Sequence, residues 1–124
     1  MNRAPLAGLR ILLAEDDYLI AMDMEATLQA LGCVVIGPVR SVREIEDIAG
    51  STRLDGALLD VNLRGETIDR VLPALVERGV RVILASGYEE KALAAQYRGV
   101  ALIAKPYTDA ALRATCERVF LGVG

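Results

Sequence analysis

The sequence contains no histidine and no tryptophan, one phenylalanine and two cysteines. Each scarcity removes a class of function. Without histidine the chain has no imidazole acid, base, nucleophile or metal ligand. For the same reason it cannot be the histidine phosphodonor of a phosphorelay, and any phosphohistidine must come from a partner. Cys33 and Cys116 stand in neither a C-x-x-C nor a metal-ligand spacing. They are expected to be small buried core residues rather than redox groups. No apolar stretch is long enough to span a bilayer. The start, Met1-Asn2-Arg3-Ala4-Pro5, lacks an apolar leader core, so a cytoplasmic location with no membrane contact is expected. Neither a basic run nor an aromatic platform accompanies the net charge of -3, which speaks against direct nucleic-acid binding. A phosphate-binding P-loop, G-x-x-x-x-G-K-[ST], is also missing.

What is present is enough for one folded domain. The 124 residues are 53% hydrophobic and 25% charged, a balance that buries a core without disulfides. Five short apolar runs alternate with helical patterns. Strands are expected over Leu9 to Ala14, Cys33 to Ile36 (closed by Gly37-Pro38), Gly56 to Asp60, Val80 to Ala85 and Val100 to Ala104. Asp17 caps the first helix, whose inward face is Ile20, Met24, Leu28 and Leu31, with Gly32 as the stop. Ser41 and Glu44 form a capping box for a second helix that buries Val42, Ile45, Ile48 and Ala49 and ends at Gly50. Val61 to Glu66 reads as a loop. The third helix carries Ile68, Val71, Leu72, Leu75 and Val76, starts irregularly because of Pro73, and stops at Gly79. A short fourth helix is expected over Glu89 to Tyr97. Thr108 caps a fifth that buries Leu112, Cys116, Val119 and Phe120. Strand and helix alternating five times predict an α/β fold: a parallel sheet with helices on both faces.

In such a sheet the carboxyl ends of the strands lie side by side, and ligands bind there. Glu15-Asp16 follows the first strand, Asp60 ends the third, Ser86 follows the fourth, and Lys105 follows the fifth. Clustered carboxylates repel unless a cation joins them. A hard divalent ion, Mg2+ or Mn2+, suits Asp16, Asp60 and Glu15, completed by the backbone carbonyl of Asn62. Asp60 could then act as a nucleophile toward phosphorus, forming an acyl phosphate. Lys105 would neutralise one phosphoryl oxygen and Ser86 would donate a hydrogen bond to another.

The segments Ile11-Leu12-Leu13-Ala14-Glu15-Asp16-Asp17, Leu58-Leu59-Asp60-Val61-Asn62-Leu63, Ala85-Ser86-Gly87-Tyr88 and Lys105-Pro106-Tyr107 resemble the receiver domain of bacterial two-component response regulators. The resemblance runs from about Leu9 to Leu121. It implies a flavodoxin-like five-stranded sheet of order 2-1-3-4-5, and one receiver domain over 1–124. It also implies Asp60 as phosphoacceptor, Asp16 as direct magnesium ligand, Glu15 as a ligand through water, and Asn62 as carbonyl ligand. Ser86 matches the switch hydroxyl and Lys105 the lysine on the phosphoryl group. Many receivers carry an aromatic switch residue where this chain has Leu102, so Tyr88 or Tyr107 becomes the candidate signalling aromatic. The segment Leu84-Ala85-Ser86-Gly87-Tyr88 is similar to the Phe-Ala-Thr-Gly-Tyr motif of a subgroup of alphaproteobacterial single-domain regulators.

The resemblance implies a phosphorylation-operated switch rather than an enzyme. Its donor would be a sensor histidine kinase or histidine phosphotransfer protein. Its downstream protein partner would bind the face of the fourth helix, fifth strand and fifth helix, and a homodimer is compatible with it. Because the chain ends soon after the fifth helix, a stand-alone receiver or phosphate shuttle is expected. A piece of a longer regulator and an interaction module that works without phosphorylation are the alternatives. An aspartyl phosphatase is disfavoured because position 62 is Asn, not a second carboxylate. A flavin-binding role is disfavoured because the first loop is acidic where phosphate binding wants glycine, serine or threonine.

Overall fold

Each central strand of the sheet divides its side chains between two cores. In β1 (Arg10–Ala14), Ile11 and Leu13 face one side while Leu12 and Ala14 face the other, the two-residue period of an extended chain. The same split recurs in β3 (Gly56–Asp60) and β6 (Arg81–Ser86). Strands covered on both faces have no polar side, which explains their unbroken apolar runs. The computed structural model describes residues 4–87 and 100–122. Its main sheet is parallel, as the sequence predicts, and takes the order that the resemblance implies, β2 (Val34–Val39), β1, β3, β6 and β7 (Ala101–Ala104). One core packs under α1 (Tyr18–Ala30) and α4 (Asp109–Phe120), the other under α2 (Val42–Ser51) and α3 (Leu72–Glu77). Burying each large apolar side chain contributes about 1.5–3 kcal/mol.

Local signals fix several boundaries. Asp17 accepts the Ile20 amide at 3.1 Å and caps α1. Ser41 accepts the Glu44 amide at 3.2 Å, while the Glu44 carboxylate returns to the Ser41 hydroxyl and the Arg40 amide. The box therefore closes one residue earlier than the usual pattern. A 3-10 turn, Ile68–Arg70, precedes α3, and Pro73 sits in its first turn, where the missing amide costs nothing. Thr108 caps α4. Thr27 then joins α1 to α4 by donating to Asp109 Oδ1 at 2.6 Å.

Four expectations are corrected. β2 (Val34–Val39) continues through Gly37-Pro38 instead of closing there, with a register shift opposite Leu12 and Ala14. Edge position allows the proline, whose missing amide would face away from the sheet. Gly37 takes φ 111°, and a Cβ there would lie 2.7 Å from the Leu13 carbonyl. α2 runs past Gly50 to Ser51, because the Thr52 amide still reaches Ile48 O at 2.8 Å. Val61 to Glu66 is not simply a loop: β4 (Asn62–Leu63) and β5 (Glu66–Thr67) form an antiparallel hairpin. Val76 is 46% exposed; α3 is too short to turn both Leu75 and Val76 inward. The expected helix over 89–97 and the candidate Tyr88 lie outside the described residues, and with them part of the expected partner face.

Candidate functional site

Register brings the predicted residues together. Leu59 pairs with Ala14, so Asp60 stands beside the Glu15 backbone. On its other side Asp60 pairs with Ala85, and Ser86 pairs with Ala104, one residue before Lys105. The ladder continues past the strand ends: the Glu15 amide donates to Val39 O, Val61 to Ala85 O, and Lys105 to Ser86 O at 2.8 Å. The backbone beneath the site is thus held at every strand, a rigid platform for side chains drawn from distant segments.

Lys105 is the hub. Its Nζ donates to Asp60 Oδ2 at 2.8 Å and to Glu15 Oε1 at 3.0 Å. Glu15 is 1% exposed and Asp60 5%, so neither acid has bulk water to solvate its charge. The other Glu15 oxygen accepts the Asp17 amide at 3.1 Å, and Asp60 Oδ1 accepts the Asn62 amide at 3.1 Å. Burial, opposed by the Asp17 amide and reinforced by the charge of Asp60, pushes the Glu15 carboxyl up to about 7. Burial alone would depress the Lys105 ammonium. The hydrogen bond and charge of Asp60, then those of Glu15, outweigh it and hold the group above the ordinary lysine range. Partial burial opposes ionisation of Asp16, yet the Arg64 amide, donating to its Oδ2 at 2.9 Å, holds it below the usual aspartate value. Oxygens of Glu15, Asp16 and Asp60 lie within 4.8 Å of one another.

Ser86 is 2% exposed, and among the described residues its hydroxyl makes no hydrogen bond. A buried hydroxyl without a partner costs free energy. Replacing Ser86 with alanine is therefore expected to leave stability unchanged or raise it by up to about 1 kcal/mol. Urea unfolding of the metal-free protein measures this, and a loss of more than that amount would mean that the hydroxyl has a partner. Tyr107 packs at the margin of the α1–α4 core, and burial pushes its hydroxyl up to about 12. With Ile20, Asp23, Lys105 and Pro106 it lines a pocket beside the site. Leu102, at the aromatic-switch position of the resemblance, is 40% exposed on the edge strand β7 (Ala101–Ala104). Cys33 and Cys116 are buried free thiols, as expected, their ionisation pushed up by burial to about 11 and 12.

What the sequence reading missed is the hairpin's contribution. Asn62 uses its side chain as well as its backbone, accepting the Gly65 amide on Oδ1 at 2.9 Å. The available signal was a glycine at the second position of a two-residue gap, Arg64-Gly65, between short paired segments.

The architecture has solved counterparts, although no family model matches the chain. SdrG from Sphingomonas melonis Fr1, solved in solution, is 30% identical and superposes with a TM-score of 0.79, covering 97% of this chain and 99% of that one. The receiver domain of sensor histidine kinase PA1611 from Pseudomonas aeruginosa PAO1, crystallised with magnesium in its active-site cleft, is 25% identical. It superposes with a TM-score of 0.80 over 92% of this chain and 98% of that one. The chain belongs to the receiver-domain family of response regulators. Membership makes this receiver a two-component signalling protein, a phosphoacceptor rather than a turnover enzyme. It also matches the phyllosphere-induced regulator PhyR of Methylorubrum extorquens, at 38% identity over 112 residues, 87% of this receiver. That match covers 42% of PhyR, so the receiver spans less than half the length of this curated relative. No described helix is long and apolar enough to cross a membrane.

Proposed function

We propose that this receiver is a phosphorylation-operated switch with Asp60 as phosphoacceptor. The observation that carries the reading is the Lys105 ammonium shared between two buried carboxylates, Asp60 and Glu15. In the reaction a carboxylate oxygen of Asp60 attacks the phosphorus of a phosphohistidine on a partner, either a sensor histidine kinase or a histidine phosphotransfer protein. The new P–O bond forms as the P–N bond breaks, and the imidazole leaves with the electron pair. The product is an acyl phosphate on Asp60. Lys105, already 2.8 Å from Asp60 Oδ2, follows the charge onto a phosphoryl oxygen. The buried Ser86 hydroxyl supplies the hydrogen bond to another. Both act by meeting charge as it develops.

The donor set fits a hard divalent cation. Three carboxylates offer oxygens within 4.8 Å of one another, and the one ammonium paired with them among the described residues leaves negative charge over. Asp16 and Asp60, with the Asn62 carbonyl and Glu15 through water, would hold Mg2+ or Mn2+. When bound, the cation supplies charge neutralisation at the phosphoryl oxygens.

Phosphorylation would exchange a carboxylate for a dianionic group and change how the face of β7 and α4 binds a downstream protein. The domain proposed is one receiver, with a core of about 9–121. The test is intact mass after incubation with acetyl phosphate and Mg2+. One phosphoryl group on wild type, absent without the metal and absent in Asp60→Ala, is the expected result. A labelled Asp60→Ala protein would overturn the assignment. An unlabelled wild type, beside a control receiver that labels, and also unlabelled by a phosphorylated histidine phosphotransfer protein, would favour a module that works unphosphorylated.

A further inference from the structure

Arg64 is the one described non-glycine residue with a positive φ, 53°, and Gly65 follows at 84°. Two successive left-handed residues make the tight turn that closes the β4–β5 hairpin, but the first position ordinarily goes to Asn, Asp or Gly. An arginine there works against its own Cβ. Four contacts hold it in place. Leu63 is fully buried in the core and anchors the hairpin base, while the Ile68 amide donates to Val61 O at 3.2 Å. The Asn62 side chain accepts the Gly65 amide at 2.9 Å. The Arg64 amide donates to Asp16 Oδ2 at 2.9 Å, across 48 residues of sequence.

These bonds join end to end. Asp60 Oδ1 accepts from the Asn62 amide, Asn62 Oδ1 accepts from the Gly65 amide, and the neighbouring Arg64 amide donates to Asp16 Oδ2. The two carboxylates thus lie at opposite ends of one hydrogen-bonded strap. We infer that the β4–β5 hairpin is a positioning clamp for the cation site, with the Asn62 carboxamide holding the turn so that the Arg64 amide orients Asp16. The inference rests on the metal reading proposed above. It assigns Asn62 a role for its side chain beyond the carbonyl, and it assigns Arg64 a role through its backbone alone. Groups that orient a ligand from behind typically change metal affinity by about 10- to 100-fold.

The test is titration of magnesium chloride into the nitrogen-labelled full chain, followed by its amide spectrum, for wild type, Asn62→Ala, Asn62→Ser and Arg64→Gly. Asn62→Ala is expected to weaken magnesium binding about tenfold, with shift changes confined to the hairpin and Asp16, and Asn62→Ser, which keeps an acceptor, to recover part of the loss. Arg64→Gly retains the amide and the left-handed turn, so its affinity should stay within about twofold of wild type. Wild-type affinity in Asn62→Ala would overturn the clamp. So would spectral changes spread through the core, which would assign the loss to general destabilisation. A loss in Arg64→Gly as large as in Asn62→Ala would overturn it too, by moving the effect to the guanidinium. If wild type itself bound no magnesium, the metal reading would fail and the clamp with it.

Discussion

Lys105→Met is expected to lose stability and phosphoryl acceptance together. The substitution keeps most of the aliphatic stem and removes only the ammonium. Two buried acids, Glu15 and Asp60, then face each other without a counter-charge. Removing one member of a buried ion pair costs about 3–5 kcal/mol. Here the figure should be nearer 2–3 kcal/mol, because Glu15, pushed up to about 7, can take a proton and relieve part of the conflict. A cation in the same cluster would relieve it as well. Magnesium should therefore stabilise the variant more than it stabilises wild type. Labelling by acetyl phosphate should slow by about a hundredfold, the usual effect of deleting one group that meets developing charge. Urea unfolding with and without magnesium, alongside the mass-detected labelling rate, measures both effects. A variant as stable as wild type and no more responsive to magnesium would show that the ammonium is not the counter-charge.

The second large effect is structural. Phe120 closes the α1–α4 core from the last turn of α4 and is 5% exposed. Its ring lies directly on β3, where a Cβ built on Gly56 would come within 2.6 Å of two ring carbons. That glycine is the socket for the ring. Phe120→Ala leaves the socket unfilled and should cost about 3–5 kcal/mol. For a domain of this size the melting temperature should fall by about 10–20 °C. Calorimetry on the metal-free protein is the direct check. A fall of only a degree or two would mean that the last turn of α4 is frayed in solution and that the folded core ends before it.

The architecture and the site were legible in the sequence for a common reason. Residues at the ends of buried strands are marked by an abrupt change of polarity, and Glu15, Asp60, Ser86 and Lys105 all carry that mark. Caps are equally local: Asp17, Ser41 and Thr108 each do what a short polar side chain before an apolar run is expected to do. The departures came from features set by tertiary contacts. Gly37-Pro38 looks like a strand terminator, but an edge strand can absorb it as an irregularity. Val76 fits the apolar helical spacing, but a helix of six residues has one inward row to fill. Arg64 carries no turn signal, because its left-handed backbone is imposed by partners at positions 16 and 62.

The bond from Lys105 to Glu15 spans 90 positions, and the bond to Asp60 spans 45. Contacts of such separation form late, after shorter loops have closed. Among the described residues β7, the strand that delivers Lys105, pairs only with β6, at the sheet margin. A chain emerging from the ribosome, or one clipped before that strand, therefore has its acids but not its ammonium. On the reading proposed above, reactivity becomes a certificate of completed folding: copies lacking the ammonium would accept phosphoryl groups about a hundredfold more slowly than intact ones and so compete poorly for them.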